Sequence, residues 1–217
     1  YSRSEGEQVV DVSLAAEAIR LANELARLLP DGEVFGLLAL MLLHHSRRDA
    51  RQDKAGELIT LEDQDRSLWD QTHIGTGLQW LEAALARTPT GPYTLQASIA
   101  AVHAKAVIAG DTDWARIVRL YGALYQQQPT PVVALNRAVA VAMRDTPAAG
   151  LMLLDELASH KVLAGYHRFH AARADLYRRA GNNDEARRCY QQALALVSQG
   201  PERRFLERQL RALDVSG

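Results

Sequence analysis

Apolar residues recur along this chain in steps of three and four, nearly from end to end. Leu14, Ala18, Leu21, Leu25 and Leu28 follow that spacing, as do Ile74, Leu78, Leu81 and Leu85. The step places those side chains on one stripe of a helix. Between the two stripes lies Asp31–Asp70, DGEVFGLLALMLLHHSRRDARQDKAGELITLEDQDRSLWD, which is apolar from Phe35 to Leu43 at every position but Gly36. That run is too long for a typical strand and far short of the roughly 20 residues that cross a membrane. A helix apolar all round is buried all round. The pattern therefore predicts a central helix, ending near Arg51, that other helices pack against.

Breaks in the periodicity set the remaining elements. Asp11 or Ser13 can cap the first helix, and Pro30, Asp31 and Gly32 end it. Gly56 opens a short extended piece, Leu58–Leu61, and Asp65 or Ser67 restarts helix, with a stripe over His73–Arg87. Beyond Thr88 the punctuation is regular. Pro92, Pro131, Pro147 and Pro201 stand where a first-turn proline is tolerated, because that N–H has no intrahelical partner. Thr130 and Thr146 precede two of them as caps, Asp111 or Asp113 caps the helix carrying Trp114, and Gly110 and Gly181 occupy left-handed C-terminal positions. Helices are predicted at about 93–109, 114–127, 131–144, 147–159, 163–180, 183–198 and 201–213, with no sheet.

These helices pair, and the pairs recur at about 34–39 residues, the range of helical solenoids. The unit Gly165–Ser198 carries Ala174, Tyr177, Gly181, Ala186, Tyr190 and Ala193 in the pattern of a tetratricopeptide repeat (TPR). Small residues let two helices approach, and the tyrosines fill the space between hairpins. The pattern weakens over 131–159, where Ala138 and Val141 match but Gly150 stands for alanine, and weakens again over 93–127. It is absent from the first 90 residues. The expected fold is all-α: residues 91–217 form antiparallel hairpins stacked as a TPR-like right-handed superhelix, and residues 1–90 form a non-repeat helical adaptor holding the buried central helix.

Charge and cysteine content narrow the function classes. With 25 Lys+Arg against 26 Asp+Glu, no overall basic character drives nucleic-acid binding. The single cysteine, Cys189, excludes an internal disulfide and a cysteine-rich zinc site, and it fits a reducing, cytoplasmic setting. The polar start, YSRSEGEQVVDVS, has no signal-peptide pattern. It begins at Tyr1 rather than Met, as a fragment of a longer protein would.

The least generic charges follow the apolar run. Arg51 is four residues from Arg47 and three from Arg48 on the predicted central helix, so at least two share a face, and Glu62, Asp63, Asp65 and Arg66 come shortly after. One reading is an intrachain clamp in which the arginines pair with Glu62, Asp63 or Asp65, since the planar guanidinium fork suits carboxylates. The other is a docking surface or a pocket for an anionic ligand. Asn136 and Arg137 interrupt an apolar helix and, with Gln96 and His103, form a candidate solenoid groove. A buried Asn136 bonded to a neighbouring hairpin is the alternative. Adjacent His44 and His45 point about 100° apart and chelate poorly, and His167 and His170 lack an accompanying carboxylate motif, so no metal is expected. Without a G-x-S-x-G turn, a phosphate loop or an activated thiolate, neither catalysis nor a cofactor is expected.

In order along the chain, EVFGLLALMLLHHSRRDAR, LITLEDQDRSLWD, GPYTLQASIAAVHA, DTDWARIVRLYGAL, PTPVVALNRAVAVAM and PERRFLERQL resemble the C-terminal extension of one group of extracytoplasmic-function (ECF) sigma factors. YSRSEGE resembles the junction after their promoter-reading regions. The resemblance covers nearly the whole chain. It implies a regulatory, protein-interaction domain acting in transcription initiation. Its partners would be the sigma regions of the same polypeptide, RNA polymerase and promoter DNA through the parent protein, and a small regulatory protein, with no membrane involvement. The regions that bind polymerase and promoter are not among these residues. A free-standing TPR-like peptide-binding adaptor is the alternative.

Overall fold

The computed structural model describes residues 12–197 and 200–215. Among them are eleven α-helices, three short 3-10 turns and no strand. The helices are α1 (Val12–Leu28), α2 (Gly32–His45), α3 (Gln71–Leu85), α4 (Pro92–Lys105), α5 (Trp114–Gln127), α6 (Pro131–Arg144), α7 (Pro147–Leu157), α8 (Lys161–Ala164), α9 (His167–Arg179), α10 (Asn183–Leu196) and α11 (Pro201–Val215). No helix among the described residues is long and apolar enough to cross a membrane. The described residues divide into two compact units, 12–128 and 129–215. The change of sequence pattern near residue 90 falls inside the first.

In the first unit α2 packs against α1, α3 and α4. Its buried residues, Phe35, Gly36, Leu38, Ala39, Met41, Leu42 and Leu43, surround the helix axis, as an all-round apolar helix requires. Gly36 explains why α4 belongs here. A β-carbon at that position would strike the Thr94 backbone, so the α2–α4 approach depends on hydrogen. Both ends of α4 are capped from elsewhere in the chain. Its own N-cap, Gly91, has no side chain to offer. The Glu33 carboxylate of α2 instead accepts from the backbone N–H groups of Tyr93 at 2.8 Å and Thr94 at 3.0 Å. A carboxylate here also faces the positive end of the helix dipole.

The first helix turns over relative to its predicted apolar stripe. Its buried positions are Ala15, Ala22 and Ala26, while Leu21, Leu25 and Leu28 are 53%, 41% and 82% exposed. Alanines allow α1 to lie close on α2, so the leucine row faces out.

The second unit holds the pairs α6–α7 and α9–α10, with α11 on α10. Thr130 and Thr146 cap α6 and α7 as the sequence indicates, accepting from Val133 and Ala149 N–H groups. Gly150 sits where no methyl fits: an added β-carbon would meet Ala142, the Ala138 carbonyl and Leu176. In α9 and α10, Ala174, Ala186 and Ala193 are fully buried and Tyr190 nearly so. The turn between them uses Gly181 at φ 77°. Gly110 is not left-handed, because α4 ends at Lys105, before the predicted 109.

Candidate functional site

The central helix stops at His45, sooner than its charge pattern suggests. Ser46 is buried, its hydroxyl donates to the Leu43 carbonyl at 2.8 Å, and its N–H donates to Leu42. The chain then winds through a 3-10 turn, Arg48–Ala50. Asp53 collects the Ala55 and Glu57 N–H groups, and Gly56 supplies the left-handed position at φ 75°. The return leg reaches a second 3-10 turn, Arg66–Leu68, which Asp65 opens by accepting from the Ser67 N–H and hydroxyl. Asp70 closes the circuit: its N–H donates to the Ser46 carbonyl at 2.9 Å. Residues 46–70 are thus a loop folded back on the end of α2. Arg47, Arg48 and Arg51 lie within it and do not share a face of the central helix.

The expected clamp does not form. Arg48 pairs with Asp70 at 3.3 Å and with Asp49 at 3.4 Å. Arg51 donates to the His44 carbonyl at 3.1 Å. Glu62, Asp63 and Asp65 are exposed. Asp63 accepts from the Thr60 hydroxyl, and Asp65 caps its own turn. Short carboxylates beside a turn bond local donors more readily than a distant guanidinium.

Arg66 is the long-range tie. Its Nη1 donates to the His103 and Ala106 carbonyls, both at 2.7 Å, and its Nη2 to Thr112 Oγ1 at 3.3 Å. These carbonyls lie at the C-terminal end of α4, where the last carbonyls have no intrahelical donor and a cation faces the negative end of the helix dipole. Trp69, 3% exposed, carries two guanidiniums: Arg66 at 4.8 Å and Arg47 at 5.7 Å from its ring. A cleft of about 610 Å³ opens beside it, lined by Gln64, Arg66, Trp69, Lys105, Val107 and Ile108 among others.

Cationic groups crowd this end of α2. Burial, with repulsion from Arg47, Arg51 and His103, pushes the His44 pKa down to about 3. Burial, with Arg47 and Arg66, pushes His103 down to about 4. Both imidazoles are neutral at neutral pH. Arg47 is lowered to about 10, by burial first and by Arg51 and Arg66 after it, and keeps its charge. Four buried polar atoms of the loop and α4 have no partner: Gln64 Oε1, Arg66 Nε, Trp69 Nε1 and His103 Nδ1. Among the described residues no set of three or more His, Cys, Asp or Glu side chains is placed to hold a metal.

Of the predicted groove residues, Gln96 and His103 lie in the first unit and Asn136 and Arg137 in the second. Gln96 bonds back to the Pro92 carbonyl, and the His103 ring stands edge-on to Trp114 at 5.3 Å. Asn136 and Arg137 are exposed on α6, so Asn136 is not the buried, hydrogen-bonded residue that was the alternative. Asp70 went unrecognised as the organiser of the loop. Its Oδ1 accepts from the His73 N–H and its Oδ2 meets His73 Nδ1 at 2.6 Å, which marks it as the N-cap of α3. An aspartate three residues before His73 was the available signal.

A family of unknown function, DUF6596, matches residues 1–85, a stretch that includes this whole loop. An uncharacterized protein of Rhizobium meliloti is 43% identical over 211 residues, which is 97% of this chain and 49% of the relative. The chain therefore spans about half the length of the curated relative it matches. No solved structure matches it.

Proposed function

We propose that this chain is the C-terminal regulatory module of an ECF-type sigma factor, acting by protein binding in transcription initiation. The observation that carries the reading is the inverted first helix. Leu21, Leu25 and Leu28 follow a three-and-four step and stand exposed, while the alanine face is buried. A leucine seam on that spacing is what a second helix packs against. We assign the seam to the sigma regions of the longer polypeptide. The six colinear sequence blocks support this assignment, as does a relative about twice as long. In the second unit, the buried small residues of α9 and α10, the left-handed Gly181 and the pairing of α6 with α7 and α9 with α10 support a TPR-like arrangement of hairpins.

The test is capture of separately expressed sigma regions by residues 1–217, with and without Leu21→Glu and Leu25→Glu. Capture by the parent chain and its loss in the double variant support the reading. No capture, together with unchanged promoter activity when the module is deleted, overturns it.

A free-standing peptide-binding adaptor is the second reading. Asn136 and Arg137 favour it, since both are exposed on α6 and neither side chain bonds a described residue. Coding sequence upstream of Tyr1 separates the two: sigma-type helices support the first, a start codon at the boundary the second.

A further inference from the structure

Gln64, Arg66 and Trp69 all line the 610 Å³ cleft of the first unit, and each keeps a buried polar atom without a partner. Arg66 Nε and Trp69 Nε1 are donors, and Gln64 Oε1 is an acceptor. Gln64 and Trp69 are only 8% and 3% exposed. The other polar atoms of Gln64 and Arg66 are engaged. Gln64 Nε2 donates to the Ile59 carbonyl at 3.3 Å, and the two terminal nitrogens of Arg66 hold the end of α4 and Thr112. Buried polar groups are ordinarily paired, so three orphans in the lining of one cleft form a deficit that a bound molecule can fill.

The exposed part of the lining has a different character. Val107 and Ile108, adjacent residues just past the end of α4, are 79% and 60% exposed and line the same cleft. Ordered water would satisfy the orphaned atoms but would leave this apolar pair uncovered. The combination selects a neutral ligand that carries a donor, an acceptor and an apolar group. An oxyanion has no proton to give the Gln64 oxygen. A nucleobase has both polar functions, but its recognition relies on stacking against an aromatic face. Trp69, the one aromatic residue lining the cleft, is buried, with the Arg66 guanidinium over its ring at 4.8 Å. Asp65 and Lys105 both line the cleft, so neither sign of charge is selected. A residue of an extended peptide meets the polar requirement, because its N–H and C=O point to the same side.

We propose that the cleft beside Trp69 is a docking site for an extended, uncharged peptide segment of a partner protein. One peptide residue donates its N–H to Gln64 Oε1 and accepts at its C=O from Trp69 Nε1 or Arg66 Nε. An apolar side chain of the segment covers Val107 and Ile108. The volume is typical of sites that enclose a ligand of a few residues' size. The site is separate from the α1 seam and from Asn136 and Arg137, so its failure would leave both functional readings standing.

An NMR titration of residues 1–217 tests this. The probes are capped tripeptides with alanine at both ends and leucine, valine or phenylalanine at the centre. At least one should shift the Trp69 indole N–H resonance saturably while that of Trp80, on α3, stays in place. Methylating the central nitrogen of that peptide removes the donor and should weaken binding about fivefold or more, the scale of one hydrogen bond. Gln64→Met should weaken the unmethylated peptide to the same degree. Ile108→Ser, at an exposed position that a folded chain tolerates, should weaken it as well. Met152→Ser, an equally exposed apolar position in the second unit, should leave it unchanged. A Trp69 resonance unmoved by all three peptides overturns the proposal. So does equal affinity for the methylated peptide, parent-like binding by the Ile108→Ser chain, or a response to adenosine monophosphate in place of the peptides.

Discussion

A β-carbon built on Gly36 falls 2.5 Å from Thr94 Oγ1 and 2.7 Å from the Thr94 backbone nitrogen. Side chains can swing away from such a contact, but a helix backbone cannot. The α2–α4 crossing is therefore set by the absence of a single methyl. Gly36→Val should separate the two helices and destabilise the first unit by about 1–3 kcal/mol, the usual scale of overpacking. Gly36→Ala should lose less, because alanine recovers about 1 kcal/mol of helix propensity. Chemical denaturation of both variants checks the order.

Arg66 joins the loop to α4, and its three hydrogen bonds act together. Arg66→Met keeps the stem over Trp69 and removes the donors. It should cost about 2–4 kcal/mol, since a charged donor contributes more than a neutral one and buried carbonyls are left unpaired. Arg66→Lys should recover only part of this, because an ammonium cannot reproduce the fork. Hydrogen exchange should show the loss first at the end of α4 and in Ala106–Ala109, where the bonds are anchored.

Acid should loosen this end of the molecule in two windows. His44 and His103 titrate near 6.5 when unfolded, but at about 3 and about 4 when folded. Between those values the unfolded chain binds more protons, so stability is intact above pH 6.5 and declines as pH falls toward 4. The loss should be on the order of a few kcal/mol. Asp70 acts lower down. The His73 backbone N–H, aided by the His73 ring and Arg48, holds its pKa at about 2. Its contribution is present above the ordinary value of 3.8 and is lost as pH falls toward 2. Melting temperatures measured against pH at fixed ionic strength should show the first decline flattened in His44→Gln and the second unchanged.

The two faces of α1 predict opposite outcomes. Ala26, 3% exposed, packs with Phe35, Leu38 and Ala84, so Ala26→Leu should destabilise by about 1–3 kcal/mol. Leu25→Glu, one residue away on the outer face, should change stability by less than about 0.5 kcal/mol. A thermal melt of each variant decides which face is the core face.

Local pattern fixed much of the architecture. Spacing, first-turn prolines and threonine caps located the helices of the second half to within a few residues, because periodicity and capping are properties of short segments. The exceptions were also local conflicts. The 163–180 stretch divides into α8 and α9, and α2 stops at Ser46, where a buried hydroxyl takes a helix carbonyl. Sequence also singled out Arg47, Arg48, Arg51 and Arg66 as unusual, since clustered charge after an apolar run is visible without coordinates.

Partnership among those residues was a matter of three dimensions. Nothing in the spacing says that Arg66 reaches α4 at His103 and Ala106, that Asp70 takes Arg48, or that Glu33 caps α4 across a gap of some sixty positions. Nor does a stripe of leucines state which side of α1 meets α2. Periodicity reports that a helix has an apolar face, but close approach favours the smaller side chains, and the alanines won the contact. The sequence by itself determined where the helices run and which charges are exceptional. The tertiary structure decided which faces touch, which carboxylates are occupied by their own turns, and which of the two guanidiniums over Trp69, Arg66 rather than Arg47, ties the loop to α4. Those outcomes depend on the direction and reach of side chains from distant segments, which no local pattern encodes.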